Sequence, residues 1–220
     1  MPDPSVIAPR TIAIDGPAAS GKGTLARRLA DHYGLAYLDT GSLYRAVGMA
    51  VLAGGGDPAD PLAAEQAARS LDPASLDSPL LRSAAAGEAA SKVAVHPGVR
   101  AALLDFQRRV AASPQGAVLD GRDIGTVVLP EADAKLFVTA SLEARVGRRV
   151  AELRARGEAA DAEVMTRALA ERDARDAGRD AAPMAPAPDA ALLDTSNLSI
   201  DEAFAAAKTL IESRTARPEG

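Results

Sequence analysis

Cysteine is absent from this 220-residue chain, which removes disulfides, thiolate nucleophiles and Cys-based zinc sites from consideration. The two histidines, His32 and His96, sit in dissimilar settings, one late in a helical stretch and one beside Pro97. Neither suggests a metal site or a triad, and both read as surface or capping residues. Tryptophan is missing and only three Phe and three Tyr occur, so the 47% hydrophobic content rests mostly on Ala, Leu and Val and favours helices. Nowhere do about 18 apolar residues run together. Basic excess is lacking too: 25 Lys and Arg against 30 Asp and Glu leave a net charge of −5. That balance argues against a nucleic-acid polymer or an anionic membrane as partner, so any anionic ligand must meet a local group of arginines. The amino terminus, Met-Pro-Asp-Pro-Ser, has no basic n-region and no apolar stretch, and a soluble cytoplasmic protein is expected.

What is present begins with Ile12 to Thr24, I-A-I-D-G-P-A-A-S-G-K-G-T. Ile12, Ala13 and Ile14 predict a short buried strand, after which Gly16, Gly21 and Gly23 bracket a turn that delivers Lys22 and Thr24 to a helix start. A polyphosphate needs backbone N–H groups converging on its oxygens, and Gly permits conformations and close approaches that side chains block. The candidate nucleotide-binding loop is therefore Gly16, Pro17, Ala18, Ala19, Ser20, Gly21, Lys22, Gly23 and Thr24. Lys22 adds a mobile charge near a transferred phosphate, and the Thr24 hydroxyl is placed to ligate Mg²⁺ directly. A Gly-rich turn that binds nothing is the competing reading. The amphipathic helix that follows in register, with Leu25, Leu29, Ala30 and Tyr33, weighs against it. Gly23 stands where the plain G-x-x-x-x-G-K-[ST] pattern has Ser or Thr, and this G-K-G-T form resembles nucleoside monophosphate kinases.

Further strands are predicted at Ala36–Leu38, Ala117–Leu119, Lys135–Thr139 and Ala191–Asp194, separated by stretches of helical periodicity. Between Ala59 and Leu81 a short helix near Leu62–Leu71 gives way to loop, with no strand legible. Arg82–Val95, Val99–Val110, Leu142–Gly157 and Glu163–Ala177 read as helices, and Ser199 to Glu202 as a capping box opening the last one. Strands alternating with helices imply a parallel sheet covered on both faces, with the phosphate loop at its carboxyl edge. Asp120, at the end of the third strand, is a Walker-B-like acid placed to reach Mg²⁺ through water.

Arg172, Arg175 and Arg179 fall at i, i+3 and i+7, on one helix face if the helix extends that far, with Asp173, Asp176 and Asp180 on an adjacent stripe. By spacing alone this is either a solvated, ion-paired helix or a site that neutralises a moving phosphoryl group.

Several strings in order then carry a closer resemblance: Thr40-Gly41-Ser42-Leu43-Tyr44-Arg45, Ala90-Ser91 with Arg100, Asp120-Gly121-Arg122-Asp123-Ile124-Gly125-Thr126-Val127-Val128, Arg172-Asp173-Ala174-Arg175-Asp176, and Asp194 to Ser199. Together they resemble the bacterial cytidylate kinase family. The resemblance implies an α/β, three-layer P-loop kinase fold with a five-stranded parallel sheet, helices on both faces, a reduced NMP-binding insert and an Arg-rich lid. It implies one domain over residues 1–220, with the core at about 10–53, 98–147 and 189–215, the insert at about 54–97 and the lid at about 148–182. The implied reaction moves the γ-phosphoryl of ATP to CMP or dCMP with Mg²⁺, in a monomer, without a covalent intermediate. Implied catalytic residues are Lys22, Arg122, Arg172 and Arg179. Thr40, Arg45 and Arg122 would hold the acceptor phosphate, with Tyr44 nearby, and Ser91, Arg100 and Asp123 the cytosine. Arg172 and Asp176 would contact the sugar, with Arg179 near the phosphates and Arg148 and Arg149 in or beside the lid. The family's insert usually contains a small β-sheet, for which Asp57 to Leu81 is too short and strand-poor. Cytosine offers an N4 amino donor that Asp123 can accept, whereas uracil puts an acceptor there. A kinase for UMP, AMP or shikimate, and a non-catalytic nucleotide switch, are the alternatives.

Overall fold

Ile12, Ala13 and Ile14 are fully buried, as a strand covered on both faces requires. In the computed structural model, which describes residues 8–180 and 182–215, they lie in β1 (Thr11–Asp15). The other strands are β2 (Ala36–Asp39), β3 (Ala117–Gly121), β4 (Ala134–Thr139) and β5 (Ala191–Asp194). All pair in parallel in the order β2-β3-β1-β4-β5, so β1 is central. The edge strand β5 alternates buried and exposed residues, while β3 is buried throughout. The amino-terminal Met1–Ser5, considered above for targeting, lies outside the described residues.

The helices are α1 (Lys22–Tyr33), α2 (Thr40–Ala53), α3 (Pro61–Arg69), α4 (Ala84–Val93), α5 (Pro97–Ala111), α6 (Leu142–Ala155), α7 (Ala162–Ala177) and α8 (Ile200–Thr215). Side chains alternate across a strand, so Ile12 and Ile14 pack with Leu25 and Leu29 of α1 and Ile211 of α8. Ala13 and Leu119 face the other way, into a core with Leu43 and Val47 of α2 and Val99 and Leu103 of α5. This three-layer α/β sandwich is the architecture expected from the alternating pattern. The capping box is present: Glu202 N–H donates to Ser199 Oγ at 3.2 Å, and Ser199 N–H donates to Glu202 Oε2 at 2.8 Å.

Residues 54–97 contain no strand among the described residues, in line with their composition. The loop expected after Leu71 is instead two 3₁₀ turns, Pro73–Asp77 and Pro79–Arg82. Each opens on an extended residue before Pro, and Asp72 also accepts the N–H of Ala74 at 2.9 Å. The Ala-rich α4 packs close on α2: a Cβ added at Gly48 would stand 2.6 Å from that of Ala89. Small side chains let the two backbones approach, so helix contact does the work a sheet would otherwise do. The helix carrying Arg172 and Arg175 ends at Ala177, as its composition suggests, with Gly178 as its cap. Arg179 therefore lies beyond it, and the one-face condition set by the i, i+3, i+7 spacing is not met for that residue.

Candidate active site

The loop after β1 turns on Gly16, whose φ is +146 and whose missing Cβ would collide with the Val138 carbonyl oxygen of β4. Only glycine lets the chain leave the sheet here. Helix α1 then begins at Gly21 in the left-handed region, with no side-chain cap and no acid in its first turn. Its first N–H groups and positive dipole end are left open to an anion. Lys22 is half-buried and Thr24 exposed in that first turn. Gly23 has its own reason to lack a side chain, since a Cβ there would stand 3.3 Å from Asp120 Oδ2. The departure from the plain loop pattern thus seats the acid of β3 over the start of α1.

Asp120 pairs in register with Asp39 of β2, which sets two carboxylates side by side at the sheet's carboxyl edge. Burial, opposed by Lys22 and reinforced by Asp39, pushes the Asp120 carboxyl up to about 6, and Tyr37 donates to it at 3.3 Å. Desolvation and then the Arg122 charge draw Lys22 down to about 8, against the pull of Asp120 and Asp39. Crowded carboxylates close to the start of α1, whose first turn also carries the exposed Thr24, suit a hard divalent cation that keeps most of its waters. Among the described residues no group of three or more His, Cys, Asp or Glu could hold a metal by itself, so such a cation fits as a companion of the nucleotide phosphates.

Opposite lies an arginine cluster organised by one acid. Asp176, 1% exposed, accepts from Arg122 Nε at 2.8 Å and from Arg179, while Arg172 Nε stands 3.8 Å away. Burial works against it, but Arg122, Arg179 and Arg172 together hold the Asp176 carboxyl below its ordinary value. Burial and the neighbouring Arg122 in turn lower Arg172 to about 10. Arg45 pairs with Asp39. The Nε atoms of Arg45, Arg172 and Arg179 are buried without a hydrogen-bond partner, which is the state of a cluster made for a further anion. Arg122 and Arg172 both act on the Lys22 charge, so the arginine cluster lies within electrostatic reach of the phosphate loop.

Asp123 and Arg100 pair directly, both largely buried, with Arg100 5.9 Å from the centroid of the Tyr44 ring. Burial pushes the Asp123 carboxyl up while Arg100 opposes. Asp123 is presented by a π turn, Ile124–Val128, which sequence patterning did not reveal. Its first amides, Ile124 and Gly125, donate to Asp15 at 2.7 and 2.8 Å. Burial lifts the Asp15 carboxyl to about 7. Ser91 is buried on α4 and accepts from Arg175 Nε at 3.1 Å, which ties α7 to the insert.

Not every expected residue converges. Thr40 donates its hydroxyl to the Asp120 carbonyl at 2.7 Å, buried. Arg148 bonds the Ser20 carbonyl at 3.2 Å and Thr195 Oγ1 at 3.0 Å, behind the phosphate loop. Arg149 pairs with Glu152 along α6, away from the cluster, and Arg175 leaves the arginine face for Ser91. Asp15, Asp39, Arg145 and Asp173 were not among the expected site residues. For the first two a signal existed, since a carboxylate closes three of the five strands, at Asp15, Asp39 and Asp194, and Asp120 stands one residue before the end of β3.

The family model described as cytidylate kinase matches residues 12–213. A cytidylate kinase of Caulobacter vibrioides is 58% identical over 206 residues, covering 94% of this chain and 97% of that one. One from Xanthobacter autotrophicus is 62% identical over 205 residues, covering 93% and 98%. Among solved structures, an uncharacterized protein from Eubacterium ventriosum superposes with a TM-score of 0.55 at 15% identity, covering 92% of this chain and 98% of that one, a likeness of fold alone.

Proposed function

The chain belongs to the cytidylate kinase family, and from that premise we propose how its residues divide the work between donor and acceptor. The reaction is transfer of the γ-phosphoryl group of ATP to CMP or dCMP, giving ADP and CDP or dCDP. The observation that carries the residue assignment is buried Asp176 gathering Arg122 and Arg179, with Arg172 beside them, within the field of Lys22.

Phosphoryl transfer asks the protein mainly for positioning and charge neutralisation. The amides of residues 16–23 and the open end of α1 receive the β- and γ-phosphates of ATP. Thr24 directly and Asp120 through water would hold Mg²⁺, which would supply positive charge to the donor phosphates. Lys22 follows the γ-phosphoryl group as it moves. Arg45 and Arg122 hold the acceptor phosphate, with Thr40 steadying the Asp120 backbone behind them. Arg172 and Asp176 meet the sugar, and Arg179 completes the positive field at the transferring group. The acceptor oxygen attacks in line, and the electrons of the breaking bond leave on ADP.

Asp123, Arg100 and Ser91 read the base, with Tyr44 packed beside Arg100. A carboxylate at N4 accepts from cytosine and faces a lone pair on uracil across a dry gap, which disfavours UMP. Residues 54–97 and about 148–182 are the parts that close over the acceptor and donor, docking through Arg175 and Ser91. We take the enzyme to work as a monomer. Among the described residues no helix is long and apolar enough to cross a membrane, and we place the enzyme with its nucleotide substrates in the cytoplasm.

Coupled measurement of ADP release with CMP, dCMP, UMP, AMP and shikimate in turn tests the reading. Strong acceleration by CMP and dCMP is expected. ATP turnover indifferent to CMP would defeat it in favour of a switch, and preference for another acceptor would reassign the base pocket.

A further inference from the structure

The middle of the phosphate loop is held from behind by residues with no part in the division of labour above. Arg145, early in α6, is only 6% exposed. Its Nε donates to the Ala140 carbonyl at 3.1 Å, its Nη1 to the Ala18 carbonyl at 3.3 Å, and its Nη2 to Asp173 Oδ2 on α7 at 2.6 Å. The Ala18 methyl is itself buried against Val146 and Val150 of α6 and Leu169 of α7.

The next residue, Ala19, has a φ of +61, the left-handed region that a non-glycine residue enters at a cost. A trans peptide is planar, so the Ala18 carbonyl and the Ala19 N–H point in opposite directions. With the carbonyl fixed on the Arg145 guanidinium, the Ala19 N–H is aimed away from α6. Left-handed residues of this kind turn successive amides into an anion-binding concavity. A buried arginine is a poor choice for filling space, because apolar residues of similar volume are usually as stable or better. Its fork to a loop carbonyl and to a carboxylate is what an apolar residue cannot copy.

We propose that Arg145, oriented by Asp173, is a positioning residue for the donor site: it sets the Ala18–Ala19 peptide plane so that the loop's amides face the ATP phosphates. Asp173 lies three residues before Asp176 on α7, so neighbouring acids of one helix shape the two halves of the cleft, one the donor loop and the other the acceptor arginines. The proposal rests on the reading of residues 16–24 as the donor loop.

The test separates positioning from plain stability. The double variant Arg145→Met/Asp173→Leu removes both charges together and leaves an apolar contact. Its melting temperature should stay near that of the parent, while ADP affinity by calorimetry, read without turnover, falls about tenfold or more. CMP affinity should stay within about twofold. Recovery of both stability and ADP affinity would overturn the proposal, as would equal losses for ADP and CMP. Should the double variant not fold, Arg145→Lys decides. Weaker ADP binding with CMP binding kept supports positioning, and parental ADP affinity overturns it. A parent that binds ADP yet does not phosphorylate CMP would sink the kinase reading and leave this test intact. A parent that binds no ADP would sink this proposal.

Discussion

Substituting Asp176 by Asn keeps the shape and removes the one negative charge that Arg122 and Arg179 share. The Asp176 side chain is 2% exposed, with Arg122 and Arg179 at 14% and 5%, so water cannot replace the lost carboxylate. Arg172, at 3.8 Å and 25% exposed, is more screened and counts for less. Breaking a buried pair by removing one partner costs about 3–5 kcal/mol. In a protein of this size each kcal/mol moves the melting temperature by about 2–4 °C, so a fall of about 6–20 °C is expected. Thermal unfolding followed by circular dichroism reads it. Sulfate, a dianion that can stand between the guanidiniums, should recover more of the loss in the variant than in the parent at matched ionic strength.

The pH dependence follows from the same group. Because the Asp176 carboxyl lies below its ordinary 3.8 in the fold, the unfolded chain takes up that proton first on acidification. The stability it gives is present above the ordinary value and is lost as pH falls through the lower folded one. The Asn variant should lack that part of the acid sensitivity. A melting point within about 3 °C of the parent, under 1–2 kcal/mol, with no sulfate effect, would refute the claim that Asp176 organises the arginines.

Lys22→Met should lower turnover by about 10³-fold or more if Lys22 stabilises the moving charge, and parental turnover in the coupled assay would reject that role. With Lys22 held near 8, its charge is lost as pH rises through that value, so turnover at low ATP should decline well before the ordinary lysine range. Asp123→Asn should erode the preference for CMP over UMP by about 1–3 kcal/mol, and an unchanged ratio of kcat/KM values would move base recognition elsewhere. Asp15→Ala leaves the Ile124 and Gly125 amides without their acceptor, at about 1–3 kcal/mol each. A lowered urea midpoint together with a raised KM for CMP is expected, and an unmoved midpoint would show the turn holding itself.

Much of the fold was legible because its signals are local. Strand β1 announces itself by three consecutive apolar residues before a glycine-rich turn, α8 by its capping box, and the insert by the absence of any strand pattern between Asp57 and Leu81. The end of α7 at Ala177 is legible too, but the i, i+3, i+7 charge spacing runs on past Gly178 and by itself does not say whether Arg179 shares the helix face. The partners of Arg148 and Thr40 were missed because backbone carbonyls are the same at every position in a sequence. Arg148 meets Ser20 across 128 residues of chain and Thr40 meets Asp120 across 80.

By itself the sequence determined the elements, the phosphate loop and the residue types that bind nucleotide, since helix and strand periods, glycine spacing and charge are properties of neighbouring residues. The tertiary structure alone decided which charges meet. Strand order brings Asp39 beside Asp120, and the packing of α7 on α6 delivers Asp173 to Arg145. The placing of α7 against the turn after β3 brings Asp176, with its local partners Arg172 and Arg179, to Arg122. Such pairings depend on how the chain closes long loops, and in a buried cleft the energy of a charge depends on the partner that closure supplies.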